Sequence, residues 1–189
     1  MKKFFLFICV MMTSLKSFTQ LDQALPAIPD PPRLVNDFTG NTLADADREK
    51  LEHKLVKFDQ RADVQIAVVI LDNTHGYASD EFAKALGNKW GIGNKQKNNG
   101  IIILVTTGGG EGKRDLTIQL GKAYAGYPVD DILKEIIVEM IPSFKEGKMY
   151  EGLDKGTDMI MEAIDKLNEM TGSSSQHASL FSIVLNKAG

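Results

Sequence analysis

Few of this chain's residues are of types that do chemistry, and their spacing rules out several reactions at once. Histidines stand at 53, 75 and 177: one on a charged helix face, one in a turn and one near the C-terminus, too scattered for the short ligand spacings of zinc. The single cysteine, Cys9, lies in an apolar run close to the N-terminus. Thiol nucleophiles, disulfides and redox pairs are therefore excluded from the chain that follows it. No G-x-S-x-G occurs, so the nucleophile elbow of serine hydrolases is missing. The run Gly108-Gly109-Gly110 lies between two apolar segments and lacks both a following helix and a Lys-Ser/Thr ending, which makes it a hairpin tip rather than a phosphate cradle. Oxygen ligands remain. Asp72 and Asn73 follow one apolar run, Asn94, Asn98 and Asn99 precede the next, and Asp130 and Asp131 open a later helix. Such oxygens suit calcium or magnesium, and open α/β sheets bind ligands in the crevice at the carboxyl ends of their strands. The same residue types also belong in turns and helix first turns with no ligand at all.

The elements that would position these residues follow from periodicity. A helix is expected over about 44–60, with Leu51, Leu55 and Phe58 at i, i+4 and i+7. Val64 to Leu71 is almost wholly apolar and β-branched, as a strand buried on both faces requires. Ser79 is placed to cap a helix running to Trp90, and the glycine- and asparagine-rich 91–100 is a loop. Ile101 to Thr106 and the alternating Arg114 to Leu120 form a hairpin. One helix starts at Pro128 or Val129 and runs through Met140, and another covers 149–170. The order helix, strand, helix, strand, strand, helix, helix implies an α/β fold: a three-layer α/β/α sandwich with a small mixed sheet and helices on both faces.

Around this domain lie less regular segments. Lys2 and Lys3, the apolar run 4–12 and a polar exit to Gln20 have the order of a secretory signal, with cleavage after Thr19; an uncleaved anchor is the rival reading. The nine apolar residues are too few to span a bilayer, which takes about 20. Four prolines between 26 and 32 make 20–33 an extended lead-in. The domain proper covers 34–170, and Gly172-Ser173-Ser174-Ser175 announces a flexible tail over 171–189. The net charge of -3 becomes about -6 once the lysines of the leader are removed. Nucleic acid is thereby a poor partner, and the mature chain has no transmembrane helix.

Taken together, the segments resemble the TPM domain, a family linked to thylakoid-lumen proteins and to phosphatase activity. The resemblance rests on Val35-Asn36-Asp37, the strand VQIAVVIL, Trp90-Gly91-Ile92-Gly93 running into Asn99-Gly100 and IIILV, Ile118-Gln119-Leu120-Gly121 leading to Asp130, and Ile141-Pro142 to Phe144 before Gly147 and Tyr150. It implies an exported or lumenal α/β/α sandwich with an acidic cleft for divalent cations, engaged in the upkeep or assembly of membrane protein complexes. Carried over by position, the metal ligands would be Asp37, Asp72, Asn94, Asn98, Asn99 and Asp130. The family commonly has Asp where this chain has Asn94 and Asn98, and a glycine-leucine-glutamate run where it has Ala123-Tyr124-Ala125. Amides keep oxygen ligands but lose charge, which weakens cation affinity and the positioning of a reactive water. Many bacterial relatives continue into a transmembrane helix and glycine-rich tail, so a stand-alone member is expected here.

The leading expectation is a non-enzymatic accessory factor of periplasmic or envelope complexes, with calcium or magnesium as cofactor. A metal-dependent acid phosphatase is the alternative; Lys95, Lys97 and Lys122 are its candidates for stabilising a phosphoryl group. A metal-free interaction module using the edge strand 114–120 is a third.

Overall fold

The computed structural model describes the backbone of residues 20–108, 114–127 and 129–186, and side chains within these ranges as far as 171. Residues 1–19 with Cys9, 109–113, Pro128, 187–189 and the side chain of His177 lie outside the described residues. Contacts divide the chain into two units, Met1–Ile137 and Val138–Gly189.

The first unit is built on a four-stranded mixed sheet in the order β1 (Val35–Asp37), β2 (Ile66–Leu71), β3 (Ile101–Thr106), β4 (Asp115–Leu120). The first three strands are parallel, and β4 returns antiparallel along β3. Every residue of β2 and β3 is buried. Since successive side chains alternate between faces, both faces of the sheet are covered, as an α/β sandwich requires. Helix α1 (Asp45–Ala62) packs on β1 and β2, and α2 (Ser79–Trp90) on β3 and β4.

β1 is not foreseen by the sequence reading, because three residues are too few to show an alternating pattern. A carboxylate from α1 holds it in place. Glu52 accepts the amides of Leu34 (3.0 Å) and Val35 (2.7 Å), satisfying donors at the sheet edge that would otherwise lack partners. Ser79 is the first residue of α2 rather than its cap. Ala78 holds the cap position in extended conformation and no side chain closes it. Within α2, Gly87 costs the helix about 1 kcal/mol relative to alanine.

The expected extended lead-in is instead part of the core. Residues 20–24 are helical, and Leu21 and Leu25 are buried with Val69, Leu71, Phe82, Leu86 and Trp90. Lys89 donates to the Asp22 carbonyl (2.6 Å), and Trp90 Nε1 to the Pro26 carbonyl (3.0 Å). A single i, i+4 leucine pair is too short a pattern to announce a helix. The prolines do keep the following residues out of helix and ladder.

The second unit contains the end of α3 (Val129–Lys145) and α4 (Met149–Asn186). Gly147, at φ 75°, turns the chain between them. Gly152 and Gly156 face Phe144 and Met140 at distances that leave no room for a β carbon. α4 runs on through Gly172 to Ser175, where the sequence pattern places a tail. At the join, the Thr171 hydroxyl folds back onto the carbonyls of Leu167 (3.0 Å) and Asn168 (3.1 Å), a local bond that a helix accommodates. No helix among the described residues is long and apolar enough to cross a membrane.

If the lead-in belongs to the core, Leu25→Ala should lower unfolding free energy by about 2 to 3 kcal/mol, the usual result of emptying a buried leucine site. Urea denaturation checks this. A loss under about 0.5 kcal/mol, typical of surface positions, would place the segment outside the core.

Candidate functional site

A parallel sheet has two unlike edges, and the expected ligands are divided between them. Asp37 ends β1 and Asp72 follows β2, so both stand at the carboxyl edge. Asn94, Asn98 and Asn99 precede β3 and arrive at the amino edge. β4, running antiparallel, also delivers Gly121 and the 3-10 turn Lys122–Tyr124 there, from which the chain runs on to Asp130 at the start of α3. The five rises of roughly 3.3 Å between six strand residues put about 17 Å between the edges, against the roughly 2.3–2.6 Å typical of calcium–oxygen bonds. The structure does not bring the six residues to one point. The sequence reading placed the asparagine loop at the carboxyl ends, whereas a segment entering a parallel strand lies opposite the segments leaving its neighbours.

At the carboxyl edge, Asp37 is committed to its own loop. Its Oδ1 accepts from the Thr39 amide (2.9 Å) and hydroxyl (2.6 Å), and Oδ2 from the amides of Thr42 (2.9 Å) and Leu43 (2.8 Å). Burial pushes its pKa up, but the bonds from Thr39, Leu43 and Thr42 outweigh that and hold it below the ordinary carboxylate value. Asp72 is exposed. Its carbonyl accepts the Gly108 amide at 2.7 Å.

At the amino edge the loop 91–100 is fixed almost atom by atom. α2 ends in a left-handed Gly91 (φ 67°); Gly91 N bonds Asn88 O and Ile92 N bonds Gly87 O, the paired bonds of a Schellman stop. The backbones then cross at contact distance. A β carbon on Gly93 would lie 2.3 Å from Gly100 N, one on Gly100 2.1 Å from Ile92 O, and one on Gly121 2.0 Å from Asn98 O. Gln65 accepts the Gly93 amide (2.9 Å) and donates to Asp59 (3.2 Å). Asn94 Oδ1 accepts from the amides of Gln96 (2.9 Å) and Lys97 (3.3 Å). Buried Asn99 accepts the Asn94 amide (3.0 Å) and donates to the Asp63 carbonyl (2.5 Å). Tyr124 closes the underside by donating to Asn99 O at 3.2 Å. Burial pushes its pKa up to about 12, so the phenol stays a donor at neutral pH.

Three of the six expected ligands, Asp37, Asn94 and Asn99, thus have side-chain oxygens already occupied by protein donors. Asp72, Asn98 and Asp130 are exposed, and their side chains make no hydrogen bond among the described residues. Of the phosphatase lysines, Lys97 is paired with Asp63 at 2.5 Å, and that ammonium holds the Asp63 carboxyl below its usual value. Among the described residues no three His, Cys, Asp or Glu side chains are grouped to share a metal ion. Sequence reasoning missed Asp63, Gln65 and Tyr124. Gln65 offered a signal, being the one polar residue inside VQIAVVIL.

The sequence model of the TPM domain matches residues 35–163. The N-terminal domain of a P. gingivalis protein, solved by solution NMR, superposes with a TM-score of 0.58 at 28% identity, over 74% of this chain and 83% of that one. The N-terminal domain of the cg2496 protein from Corynebacterium glutamicum gives 0.54 at 14% identity, over 74% and 88%, a likeness of fold alone. No curated protein matches the sequence.

Two outcomes follow from this geometry. Gly121→Ala should destabilise the chain by about 2 to 3 kcal/mol, since overpacked sites lose that much; an unchanged thermal midpoint would show that the crossing has slack. Asp37→Ala should lose about 2 kcal/mol at neutral pH, the scale of hydrogen bonds to a charged group. Because the folded carboxyl has the lowered pKa, its contribution is present above the unfolded value of about 3.9 and disappears as pH falls through the folded one. Urea titrations of both proteins should therefore converge at low pH, and a difference that persists there would contradict the carboxylate's role.

Proposed function

Because the chain belongs to the TPM domain family, we propose that it is an exported, non-enzymatic accessory module of envelope protein complexes that binds a divalent cation weakly at the amino edge of its sheet. The observation that supports the cation reading is the state of the loop 91–100. Its backbone is locked by the glycine crossings, by Asn94 and by Asn99, and Asn98 is the asparagine it leaves with a free, exposed side chain. The Asn98 carbonyl accepts the Ala123 amide at 3.0 Å, so the loop is tied to the turn that leads into Asp130. Asn98 and Asp130 are the ligands in this reading, completed by water.

Asp37 and Asp72, at the far edge, take no part. A site with one carboxylate has little charge to offer calcium, which places its affinity in the millimolar class of extracellular modules. Export accounts for the leader pattern, and an acidic, thiol-free chain suits an oxidising compartment.

Two-dimensional amide NMR during a calcium titration tests the proposal. Saturable shifts are expected at Asn98, Gly100, Ala123 and Asp130. They should vanish in Asn98→Ala plus Asp130→Ala and persist in Asp72→Ala. The absence of any saturable shift at millimolar calcium would overturn the cation reading.

A further inference from the structure

Gly87 is a glycine that the backbone does not need. Every other described glycine from Gly40 to Gly156 has a positive φ or stands where a β carbon would come within 3.0 Å of a neighbour. At Gly87 the φ is ordinary, and a β carbon would meet only Ile102 Cγ2 at 3.8 Å, a normal contact. Alanine would fit there and would favour the helix. What its absence leaves is space: Gly87 lines a cavity of about 190 Å³ between α2, the loop 91–100 and the end of β4.

The chemistry of that cavity is one-sided. Lys84 and Lys122 line it, and neither makes an ion pair among the described residues. Asn88, Asn98 and Gln119 contribute amides, Ile92 and Ile102 apolar surface, and no Asp or Glu takes part. Two lysines without an ion pair among the described residues line this one cavity, in a chain of net charge -3. They call for an anion. Three main-chain donors nearby are spent: Gly121 N on Gly100 O, Ile92 N on Gly87 O and Ala123 N on Asn98 O. With these three committed, fewer backbone amides are left to cradle a phosphate. A cavity of about 150 Å³ takes a benzene-sized molecule, so the volume suits one ring or a short acyl chain.

We propose that this cavity is a binding site for a small apolar carboxylate, with the carboxylate between Lys84 and Lys122 and the apolar body over Gly87 and Ile102. The site needs no divalent cation and uses neither Asp130 nor the metal ligands' charge.

The test is an amide NMR titration of the full chain in EDTA with benzoate, its neutral isostere benzamide, and inorganic phosphate. Carrying it out in EDTA separates its outcome from that of the calcium experiment. Benzoate should give saturable shifts at Gly87, Asn88, Gly100 and Gly121, and benzamide and phosphate should bind at least about tenfold more weakly, since charge assistance and apolar contact are each lost. Lys84→Ala plus Lys122→Ala, both exposed positions, should weaken benzoate by a similar factor. Gly87→Ala should also weaken it while raising the thermal midpoint. No saturable benzoate shift, equal binding of benzamide, equal binding of phosphate, or full affinity in the double lysine variant would each overturn the proposal.

Discussion

Where α2 ends, β3 begins and β4 leaves, three backbones pass within van der Waals contact at Gly93, Gly100 and Gly121. Steric exclusion there is absolute in a way that hydrogen bonds are not, because a single methyl group would have to occupy space already held by a carbonyl or amide. The crossing sets how far the loop can rise above the sheet edge. That height decides whether Gln65 reaches the Gly93 amide, whether Asn99 can span from Asn94 to Asp63, and whether Tyr124 finds Asn99 O. These bonds are each modest in net energy. Their geometry is inherited from the glycines.

Much of the fold was legible because its signals are repeated. β3 begins and ends at the residues its apolar run indicated, and α2 spans the expected stretch to Trp90, since bulk apolar pattern decides such elements. β1 and the helical turn at 20–24 were hidden because each is shorter than the period that would reveal it. The site was harder. Asp37, Asn94 and Asn99 carry oxygen and occupy loops, which marks a ligand and a turn-builder alike; only the partners reveal that these three are turn-builders. The division between sheet edges was in principle derivable from strand direction, but it required β1 and the parallel pairing of β2 with β3, and β1 was not seen.

The asparagines of the loop are not equivalent. Asn99 both donates, to the Asp63 carbonyl, and accepts, from the Asn94 amide. An ionised aspartate has no donor and could not replace it. Asn94 Oδ1 accepts the turn's amides, while its side chain also hydrogen-bonds the Asp63 carboxylate and helps to lower its pKa, so a carboxylate there would keep the turn's acceptor but set a second charge against Asp63. The Asn98 side chain has no hydrogen bond among the described residues to preserve. At these last two positions the amides lower the charge of the amino edge without altering its shape, and in this chain the field beside Lys84 and Lys122 is correspondingly less negative.

Trp90 is the chain's only tryptophan. It is buried, its indole N–H is bonded to Pro26 O, and its ring centroid lies 6.0 Å from that of Phe38. The lead-in, the residue after β1 and the end of α2 therefore meet at a single chromophore. Its emission wavelength is an intrinsic optical gauge of whether the segment from Leu21 to Pro26 is seated. Undocking of Leu21 and Leu25 would bring water to the indole and shift the emission to the red even if the sheet behind it stayed intact.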